Sequence, residues 1–421
     1  GGEASTPPSI LPHQPASLAP NKGDLLWEDW VTRESLKQAA TSLAMQDIKI
    51  KCFTWNVGNA EPSPGDLATW LPEPGAEESD VVAVGTQENS FSTKGGSHSA
   101  TTTTGADGDD EAEGEKAKLP ENAKQSQREK DAKLWDSMVA DRLGPSFTVV
   151  KHIVLWEMRL TVYAKKTYTK GLNKCISHIE AASSATGGPG GVFGNKGGLV
   201  IKFDFGPTSL AFISCHLAAH APKLAQRNKN CQEILAETAR SIGCPLVDAA
   251  SQYDHVFWMG DLNYRVDLNA GKPSPIYPDE VAHHKAVLEL IEKKAYDQLL
   301  AADQLNMCKA AGEAFAGFRE GTMTFAPTFK VMRKVGTEYK DQRIPSYCDR
   351  VLWKSMPPLE DFLQQTSLIS LPEVSTSDHK PVVATFAVRP SDQPFMVRAR
   401  LIRARPSPRR AGPCHPVPSR P

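Results

Sequence analysis

The chain has 421 residues, which is enough for one large domain or two ordinary ones, and a hydrophobic fraction of 40% is typical of a globular protein. Its 48 basic and 49 acidic residues nearly cancel, so the net charge of −1 argues against a nucleic-acid-binding protein that is basic throughout. No apolar run approaches the ~20 residues that a membrane-spanning helix needs. The 8 cysteines are scattered without a Cys-x-x-Cys pair, which favours reduced thiols and a cytoplasmic protein.

The expected domain limits follow changes in composition along the chain. Residues 1–22 are rich in Pro, Ser and Ala, which is typical of a disordered leader. Residues 92–130 carry Thr, Gly and charge without hydrophobic periodicity, and we expect a disordered insertion there. Residues 390–421 are rich in Pro and Arg and predict a basic tail. The segment 23–389 is then expected to fold as one domain that the insertion interrupts.

Strand-like apolar runs recur along this domain, and helix-like segments separate some of them. The segment 80–88 is apolar at almost every position, as expected of a strand buried on both faces. Strands outnumber the helices between them, which favours an α/β fold with mixed sheets over a doubly wound parallel sheet. In chain order the prediction is a helix at 24–46, strands at 48–57 and 80–88, a helix at 133–143, strands at 147–166, 197–206 and 209–218, and a helix at 221–242. A buried strand is then expected over the first half of 255–267, with a turn at Gly260, followed by helices around 280–306 and strands at 351–355 and 381–388.

Polar residues stand at the ends of several of these strands, where a packed sheet presents side chains for chemistry. Asp261 and Asn263 follow a buried strand and are one residue apart, so on an extended chain their side chains point to the same side. A carboxylate there can accept a proton from water, and an amide can donate to developing negative charge. The other strand ends carry Asn56, Glu88, His216, Asp378 and His379.

The oxygen donors among these residues predict a site for a hard cation. Glu88 and Asn56, with Asp261 or Asp378 nearby, suit Mg²⁺, which prefers oxygen ligands and keeps several waters. Zinc bound by thiolates is not supported, because no two cysteines stand at ligand spacing. A single histidine at a strand end, such as His216, is more often structural than functional. The joint occurrence of these residues is therefore what favours a site.

Two further stretches are typical of anion binding. The glycine-dense segment 186–198 offers backbone N–H groups with Lys196 as a counter-charge, and it is neither a Walker nor a dinucleotide motif. The segment 327–355 interleaves basic and aromatic residues, as a surface for several phosphates would. An ordinary turn and a solvated charged face are the structural alternatives. Val192 and Phe193 form an apolar pair in the glycine-dense loop that either packs internally or enters a bilayer.

Several motifs, in this order, resemble those of the inositol polyphosphate 5-phosphatases of the endonuclease/exonuclease/phosphatase superfamily. They are FTWNVGNAEP, VVAVGTQE, GGVFGNKGGLVIKF, SCHLAAHAPKLAQRN, VFWMGDLNYRVD, PTFK, IPSYCDRVLWKS and STSDHKPVVATF. The resemblance covers residues 48–388 apart from the insertion, and it implies that 23–389 is a catalytic domain. It also implies a DNase-like α/β fold, which is a four-layer sandwich of two mixed β-sheets flanked by helices.

The resemblance further implies a role for each motif residue. Glu88 is expected to be the principal Mg²⁺ ligand, with Asn56 in the metal's environment. Asp261 is expected to activate the attacking water, and Asn263 to support that water or the transition state. The other catalytic residues implied are His379, which holds the scissile phosphate, His216, which contacts it, and Asp378, which orients the site. The substrate-binding residues implied are Asn195, Lys196, Tyr264, Arg265, Lys330, Asp349 and Arg350.

The function implied is Mg²⁺-dependent removal of the 5-phosphate from a phosphoinositide, such as phosphatidylinositol 4,5-bisphosphate or 3,4,5-trisphosphate, or from a soluble inositol polyphosphate. A phosphodiesterase of the same superfamily, either a nuclease or a sphingomyelinase, is one alternative. A non-catalytic phosphoinositide-binding scaffold is another. Phe329 stands where the family often has Tyr, which puts one ring hydroxyl contact in question. We expect no nucleic-acid partner, a cytoplasmic location, and transient contact with anionic membranes to which the basic tail would contribute.

Overall fold

The computed structural model describes residues 46–71, 79–89, 134–171, 174–186, 196–341, 343–357 and 359–390. Several predicted segments lie outside these ranges, namely the leader, nearly all of the helix at 24–46, the insertion and the tail beyond Pro390. The same holds for three candidate residues, Val192, Phe193 and Asn195. None of the helices within the described ranges is both long and apolar enough to cross a membrane.

Strands and helices alternate irregularly along the described chain. The strands are β1 (Ile48–Asn56), β2 (Val81–Gln87), β3 (Phe147–Leu155), β4 (Met158–Lys165), β5 (Ile176–Ala185), β6 (Gly197–Phe205), β7 (Thr208–His216), β8 (His255–Asp261), β9 (Asp349–Ser355), β10 (Leu363–Ser370) and β11 (Val382–Val388). The α-helices are α1 (Pro64–Trp70), α2 (134–143), α3 (Lys166–Thr169), α4 (Leu224–Ser241), α5 (Glu280–Glu292), α6 (Tyr296–Ala301) and α7 (Gln304–Ala311). Short 3₁₀ helices lie at Ala221–Lys223, Ala249–Ser251 and Glu360–Phe362.

The strands form two mixed sheets. The first has the order β10-β11-β1-β2-β4-β3, in which β1 and β2 are parallel and their other neighbours antiparallel. The second has the order β5-β6-β7-β8-β9, in which only β7 and β8 are parallel. Each sheet therefore has one parallel pair whose two strands end at the same edge, which places the ends of β1, β2, β7 and β8 for a shared site.

A core of apolar side chains joins the inner faces of the two sheets. Phe257 of β8 stacks on Phe212 with ring centroids 5.0 Å apart, and it meets Phe386 of the other sheet edge-on at 4.9 Å. On the outer faces, Trp70 of α1 packs on Trp55, and separate apolar clusters lie under the helices of each sheet. The predicted fold, a four-layer sandwich of two mixed β-sheets flanked by helices, is confirmed.

Strand β8 is buried on both faces along its whole length. Phe257 and Met259 enter the core between the sheets, while Trp258 packs outward against Phe315, as the two-residue period of a strand requires. The predicted turn at Gly260 is wrong, because β8 continues through this residue, which pairs with Cys215 and Arg350. The φ of +142° at Gly260 and its closeness to the Cys215 backbone exclude a side chain there. A Cβ at Gly260 would lie 2.1 Å from the Cys215 carbonyl oxygen, so glycine lets β8 and β7 stay paired up to their ends.

His255, at the opposite end of β8, predicts a loss of stability in mild acid. Its ring is fully buried, its Nδ1 lies 2.8 Å from Ser355 Oγ, and burial lowers the pKa of His255 from 6.5 to about 4. The unfolded chain then binds more protons than the folded chain between these values, so stability falls as pH drops through 6.5 towards 4. We expect the free energy of unfolding to fall by about 2 kcal/mol between pH 7 and pH 5 because of His255.

Denaturant unfolding of wild type and of His255→Gln at both pH values checks this prediction. The variant should lose less stability on acidification than wild type, because glutamine does not titrate. An equal loss in the two proteins would show that His255 is not responsible.

Candidate active site

The strand ends of the two sheets meet at one edge of the sandwich. β1 ends at Asn56 and is paired there with Gln87, which precedes Glu88. In the second sheet, Asp261 at the end of β8 lies between His216 on β7 and Asp349 on β9. His379 enters from the loop before β11, which pairs with β1. The polar residues that the sequence places at separate strand ends are thus brought together.

Asp261 lies at the centre of this cluster and is buried. Asn56 Nδ2 donates to its Oδ2 at 3.0 Å, and His216 Nε2 lies 3.2 Å from the same oxygen. Burial alone would raise the pKa of Asp261, but the positive charges of His216, His379 and Lys196 lower it. The carboxylate is therefore held as an anion and can orient a water molecule.

His379 forms a hydrogen-bonded pair with Asp349. Its Nδ1 lies 2.8 Å from Asp349 Oδ2, to which Thr328 Oγ1 also donates at 2.7 Å. Burial would lower the pKa of His379, but the carboxylates of Asp349 and Asp261 raise it to about 10. The ring is therefore an imidazolium at neutral pH. Its Nε2 faces Asp261 Oδ2 across 3.9 Å, which is beyond hydrogen-bond distance and leaves this N–H available to an anionic oxygen.

Glu88 lies on the open side of the cluster, since its side chain is 30% exposed whereas that of Asp261 is 1% exposed. Asn56 Nδ2 donates to Glu88 Oε1 at 3.1 Å, and the Gly58 N–H donates to Asn56 Oδ1 at 3.0 Å. Asn56 thus joins Glu88 to Asp261 and fixes the orientation of both carboxylates.

These carboxylates fit a hard divalent cation, because their oxygen atoms are the ligands that such ions prefer. Within the described ranges, ligand atoms of Asp261, Asp349 and His379 also lie within 4.8 Å of one another. We exclude His379 from a ligand set, because Asp349 occupies its Nδ1 and the raised pKa keeps its Nε2 protonated. Glu88 and Asp261 are the residues that would hold the ion.

Lys196 adds positive charge beside His216. The two residues lie close because Gly197, which follows the lysine at the start of β6, pairs with His216 of β7. Lys196 Nζ lies 3.3 Å from His216 Nδ1 and contacts Nε2 as well. Burial lowers the pKa of Lys196, and the carboxylates of Asp261 and Glu88 oppose that shift. The sequence-predicted lysine therefore lies next to the carboxylate cluster.

Asn263 lies at the cluster, but its side-chain amide is already engaged. Its backbone N–H donates to Asp261 Oδ1 at 3.0 Å, and its Nδ2 donates to the Leu217 carbonyl at 3.2 Å. Arg265 Nη2 donates to Asn263 Oδ1 at 2.8 Å, and the same guanidinium stacks 4.7 Å from the Phe329 ring. Phe329 in turn lies 4.5 Å from the His379 ring, so Arg265 and Phe329 form a wall beside the histidine.

Asp378 lies beside the guanidinium of Arg333. Its Oδ1 lies 3.7 Å from Arg333 Nη2, and that guanidinium donates to the Gly58 carbonyl at 2.8 Å. The hydrogen bond to the His379 ring is made by Asp349, and the site-orienting role that the resemblance implies for Asp378 stays a prediction. Nothing in the sequence distinguishes the two aspartates, because each precedes a basic residue in its motif.

Arg350 and Tyr264 are occupied elsewhere. Arg350 is fully buried, and its guanidinium is paired with Asp303 at 2.8 Å and with Glu320. The Tyr264 hydroxyl donates to Asn228 Oδ1 at 2.7 Å, and its ring packs in the outer core of the second sheet. Strand alternation explains Arg350, since its neighbour Asp349 is the one that points to His379. Substrate binding by these two residues stays a prediction, as it does for Lys330.

Two residues that hold the site together are not among the sequence-predicted ones. Ser377 Oγ donates to the Asn56 carbonyl at 2.7 Å and accepts from the His379 N–H at 3.1 Å, which joins the loop before β11 to the end of β1. Thr328 supports Asp349. Thr328 lies within the motif PTFK and Ser377 within STSDHKPVVATF. A hydroxyl beside a candidate residue in these motifs is the signal that could have drawn attention to them.

Comparison with known proteins places the chain in a family. The model described as endonuclease/exonuclease/phosphatase family 2 matches residues 53–385. Phosphatidylinositol 3,4,5-trisphosphate 5-phosphatase 2B of Danio rerio is 31% identical over 367 residues, which cover 81% of this chain and 25% of that protein. Type II inositol 1,4,5-trisphosphate 5-phosphatase of Mus musculus is 34% identical over 267 residues, which cover 60% of this chain and 24% of that protein. This chain thus spans about a quarter of the length of these curated relatives.

Solved structures share the architecture. The inositol polyphosphate 5-phosphatase domain of SPsynaptojanin, in complex with inositol (1,4)-bisphosphate and calcium ion, has a TM-score of 0.57 and 25% identity, covering 86% of this chain and 90% of that chain. Cimex nitrophorin in its ferrous NO complex also has a TM-score of 0.57, with 22% identity and coverage of 82% and 99%, which is a likeness of fold alone. The predicted resemblance to inositol polyphosphate 5-phosphatases is confirmed, and the chain belongs to endonuclease/exonuclease/phosphatase family 2.

Proposed function

We propose that the protein hydrolyses the 5-phosphate of a phosphoinositide or soluble inositol polyphosphate in an Mg²⁺-dependent reaction. The observation that carries the proposal is the buried Asp261 anion between His216 and the His379–Asp349 pair, with Glu88 on the open side. The relatives named above are 5-phosphatases for inositol lipids or inositol trisphosphate. The nitrophorin likeness means that fold alone does not decide activity, so these side chains must do so.

In this account the chain's own residues position a water and neutralise the phosphate. Asp261 orients the water and takes its proton as the bond from the water oxygen to phosphorus forms. Because its pKa is lowered, the carboxylate is a weak base, so the proton moves to it only as that bond forms. The imidazolium of His379 donates to a phosphoryl oxygen, and Lys196, which lies against His216, adds positive charge on the other side. The bond from phosphorus to the inositol oxygen breaks as the water attacks in line, and the leaving oxygen takes a proton from solvent, so no phosphoenzyme forms.

Glu88 and Asp261 would hold the Mg²⁺ ion, with Asn56 orienting both carboxylates. Bound there, the ion would act as a Lewis acid that stabilises charge on the phosphoryl oxygens. The solved relative contains calcium ion, which is likewise a hard divalent cation with oxygen ligands.

A substrate panel with and without Mg²⁺ tests the proposal. We expect the full chain to release phosphate from inositol 1,4,5-trisphosphate and from phosphatidylinositol 4,5-bisphosphate or 3,4,5-trisphosphate, and EDTA to abolish the release. Inositol 1,4-bisphosphate is the matched control, because it lacks only the 5-phosphate and should release nothing. If the protein cleaves DNA or sphingomyelin and releases no phosphate from inositol phosphates, the result would favour the phosphodiesterase alternative. Tight phosphoinositide binding without any release would favour the scaffold.

The proposal also includes three points about location. Val192 and Phe193 would contact a bilayer, the tail arginines would be attracted to anionic lipid, and the protein would be cytoplasmic. Their support is the apolar pair in the glycine-dense loop and the Arg-rich composition after residue 390. Vesicle binding by Val192→Ser/Phe193→Ser that equals wild type would argue against insertion of that pair.

A further inference from the structure

A short hairpin stands at the rim of the candidate site and presents apolar side chains to solvent. It comprises residues 331–339, here called the rim hairpin, and its two arms pair through Val331 and Tyr339. Its Met332 N–H donates to the Glu338 carbonyl at 2.7 Å. Residues 332–335 at its tip read Met-Arg-Lys-Val and are all exposed, with Val335 at 68% and Met332 at 38%.

The rim hairpin is fixed to the domain at several points. The Val331 N–H donates to the Asp378 carbonyl at 2.9 Å, and the Gly336 N–H donates to the Pro372 carbonyl at 2.8 Å. The fully buried Lys380 donates from Nζ to the Lys334 carbonyl at 2.7 Å. The exposure of Val335 and Met332 is therefore held in place by the backbone, so the apolar tip is preorganised for contact with another surface.

The charge around the apolar tip identifies the kind of surface. The segment 330–343 carries five basic residues, namely Lys330, Arg333, Lys334, Lys340 and Arg343, and two acidic ones, Glu338 and Asp341. Lys334 pairs with Glu338, and Arg333 lies 3.7 Å from Asp378 of the loop before β11. When that aspartate is included, the five basic residues still outnumber three acidic ones. Among the large hydrophobic residues that are exposed in the described ranges, Met332 and Val335 alone have Arg or Lys as a chain neighbour. Apolar groups beside cations match a bilayer of anionic lipid, in which the acyl boundary takes the former and the headgroups attract the latter.

We propose that the tip of the rim hairpin docks on anionic lipid and holds the candidate site against the membrane surface. Arg333 connects the rim hairpin to the candidate site, because it donates to the Gly58 carbonyl and lies 3.7 Å from Asp378. Gly58 is hydrogen-bonded to Asn56, and Asp378 directly precedes His379. The tip is thus beside the cluster in which a lipid headgroup would react. The benefit to catalysis rests on the proposed function, whereas docking itself does not depend on hydrolysis.

Sedimentation with vesicles of phosphatidylcholine and phosphatidylserine tests the docking. We expect Met332→Ser/Val335→Ser to bind about tenfold more weakly than wild type, since two partly buried apolar side chains are lost from the interface. Leu246→Ser is the matched control, because Leu246 is at least as exposed as Val335 and Met332 but has no basic chain neighbour, and it should bind like wild type. Binding should also weaken at high salt and on vesicles of phosphatidylcholine alone.

Phosphate release separates this inference from the proposed function. The double variant should keep wild-type release from soluble inositol 1,4,5-trisphosphate and lose release from vesicles that carry phosphatidylinositol 4,5-bisphosphate. Wild-type vesicle binding by the double variant, or no vesicle binding by wild type, would overturn the docking whatever the activity. Vesicle binding that depends on the tip in a protein with no phosphatase activity would uphold the docking and reject the proposed function.

Discussion

Asp261→Asn should reduce phosphate release by about 10²- to 10⁴-fold, which is the range for loss of a positioned general base. The substitution keeps the shape of the side chain and removes the negative charge that His216, His379 and Asn56 surround. An amide cannot accept the proton of the attacking water, and it would hold a divalent cation less well than a carboxylate does. Steady-state release from inositol 1,4,5-trisphosphate at saturating Mg²⁺ measures the effect.

Asp80→Asn provides the matched control for this variant. Asp80 is also a buried carboxylate, but it precedes β2 at the end remote from Glu88 and accepts from the Lys49 N–H and the Tyr168 hydroxyl. Its replacement should reduce stability and leave the turnover of folded molecules unchanged. Circular dichroism would verify that both variants are folded. Near-normal release by folded Asp261→Asn would contradict the role given to Asp261.

His379→Gln should cause a comparable loss, about 10²- to 10⁴-fold, because it removes the imidazolium that would donate to the phosphate in the proposed reaction. Asp349→Asn should cost about 10²-fold, since Asp349 acts through His379 by orienting its ring and keeping it charged. The two residues then work as one unit. We therefore expect the double variant to be no slower than His379→Gln alone, which a double-mutant cycle on turnover would measure.

Thr366→Ala is a suitable control in the same cycle, because its hydroxyl is on the edge strand β10 and lies 2.9 Å from Thr385 Oγ1 of β11, away from the histidine. This substitution should leave turnover unchanged, and its effect should be additive with that of His379→Gln. Additive losses for Asp349→Asn and His379→Gln would mean that the aspartate has a separate function and that the hydrogen bond between them is not what matters.

Most of the fold could be predicted because its central strands carry strong patterns. β2 and β8 are apolar along their length, and α4 has the helical spacing of apolar residues expected for 221–242. The sequence does not predict β5 or β10, because ISHIEAASSA and LQQTSLIS are polar edge strands with weak periodicity. Their pairing with β6 and β11 fixes them, and such long-range pairing leaves no local signal.

The sequence predicts which residues form the site better than it predicts which of them contact one another. The strand-end pattern names Asn56, Glu88, His216, Asp261 and His379, and the parallel pairs of the two sheets bring these residues together. Contacts that depend on which way a side chain leaves a strand do not follow from the motifs. Asp349 and Arg350 are neighbours in one motif, yet one supports His379 and the other is buried between Asp303 and Glu320.

The exposure of the tip of the rim hairpin likewise cannot be predicted from the sequence. The sequence marks the segment 327–355 as basic and aromatic, and it gives no reason to separate Met332 and Val335 from core residues. Their exposure comes from backbone hydrogen bonds to Asp378 and Pro372, which lie about 40 residues further along the chain.

The identity of the phosphate that leaves is the most direct test of the account. Phosphorus-31 NMR of inositol 1,4,5-trisphosphate incubated with the full chain and Mg²⁺ follows each phosphate separately. We predict that the 5-phosphate resonance alone is replaced by inorganic phosphate, while the 1- and 4-phosphates persist. Loss of a different phosphate, or three unchanged resonances in the presence of Mg²⁺ and folded protein, would contradict it.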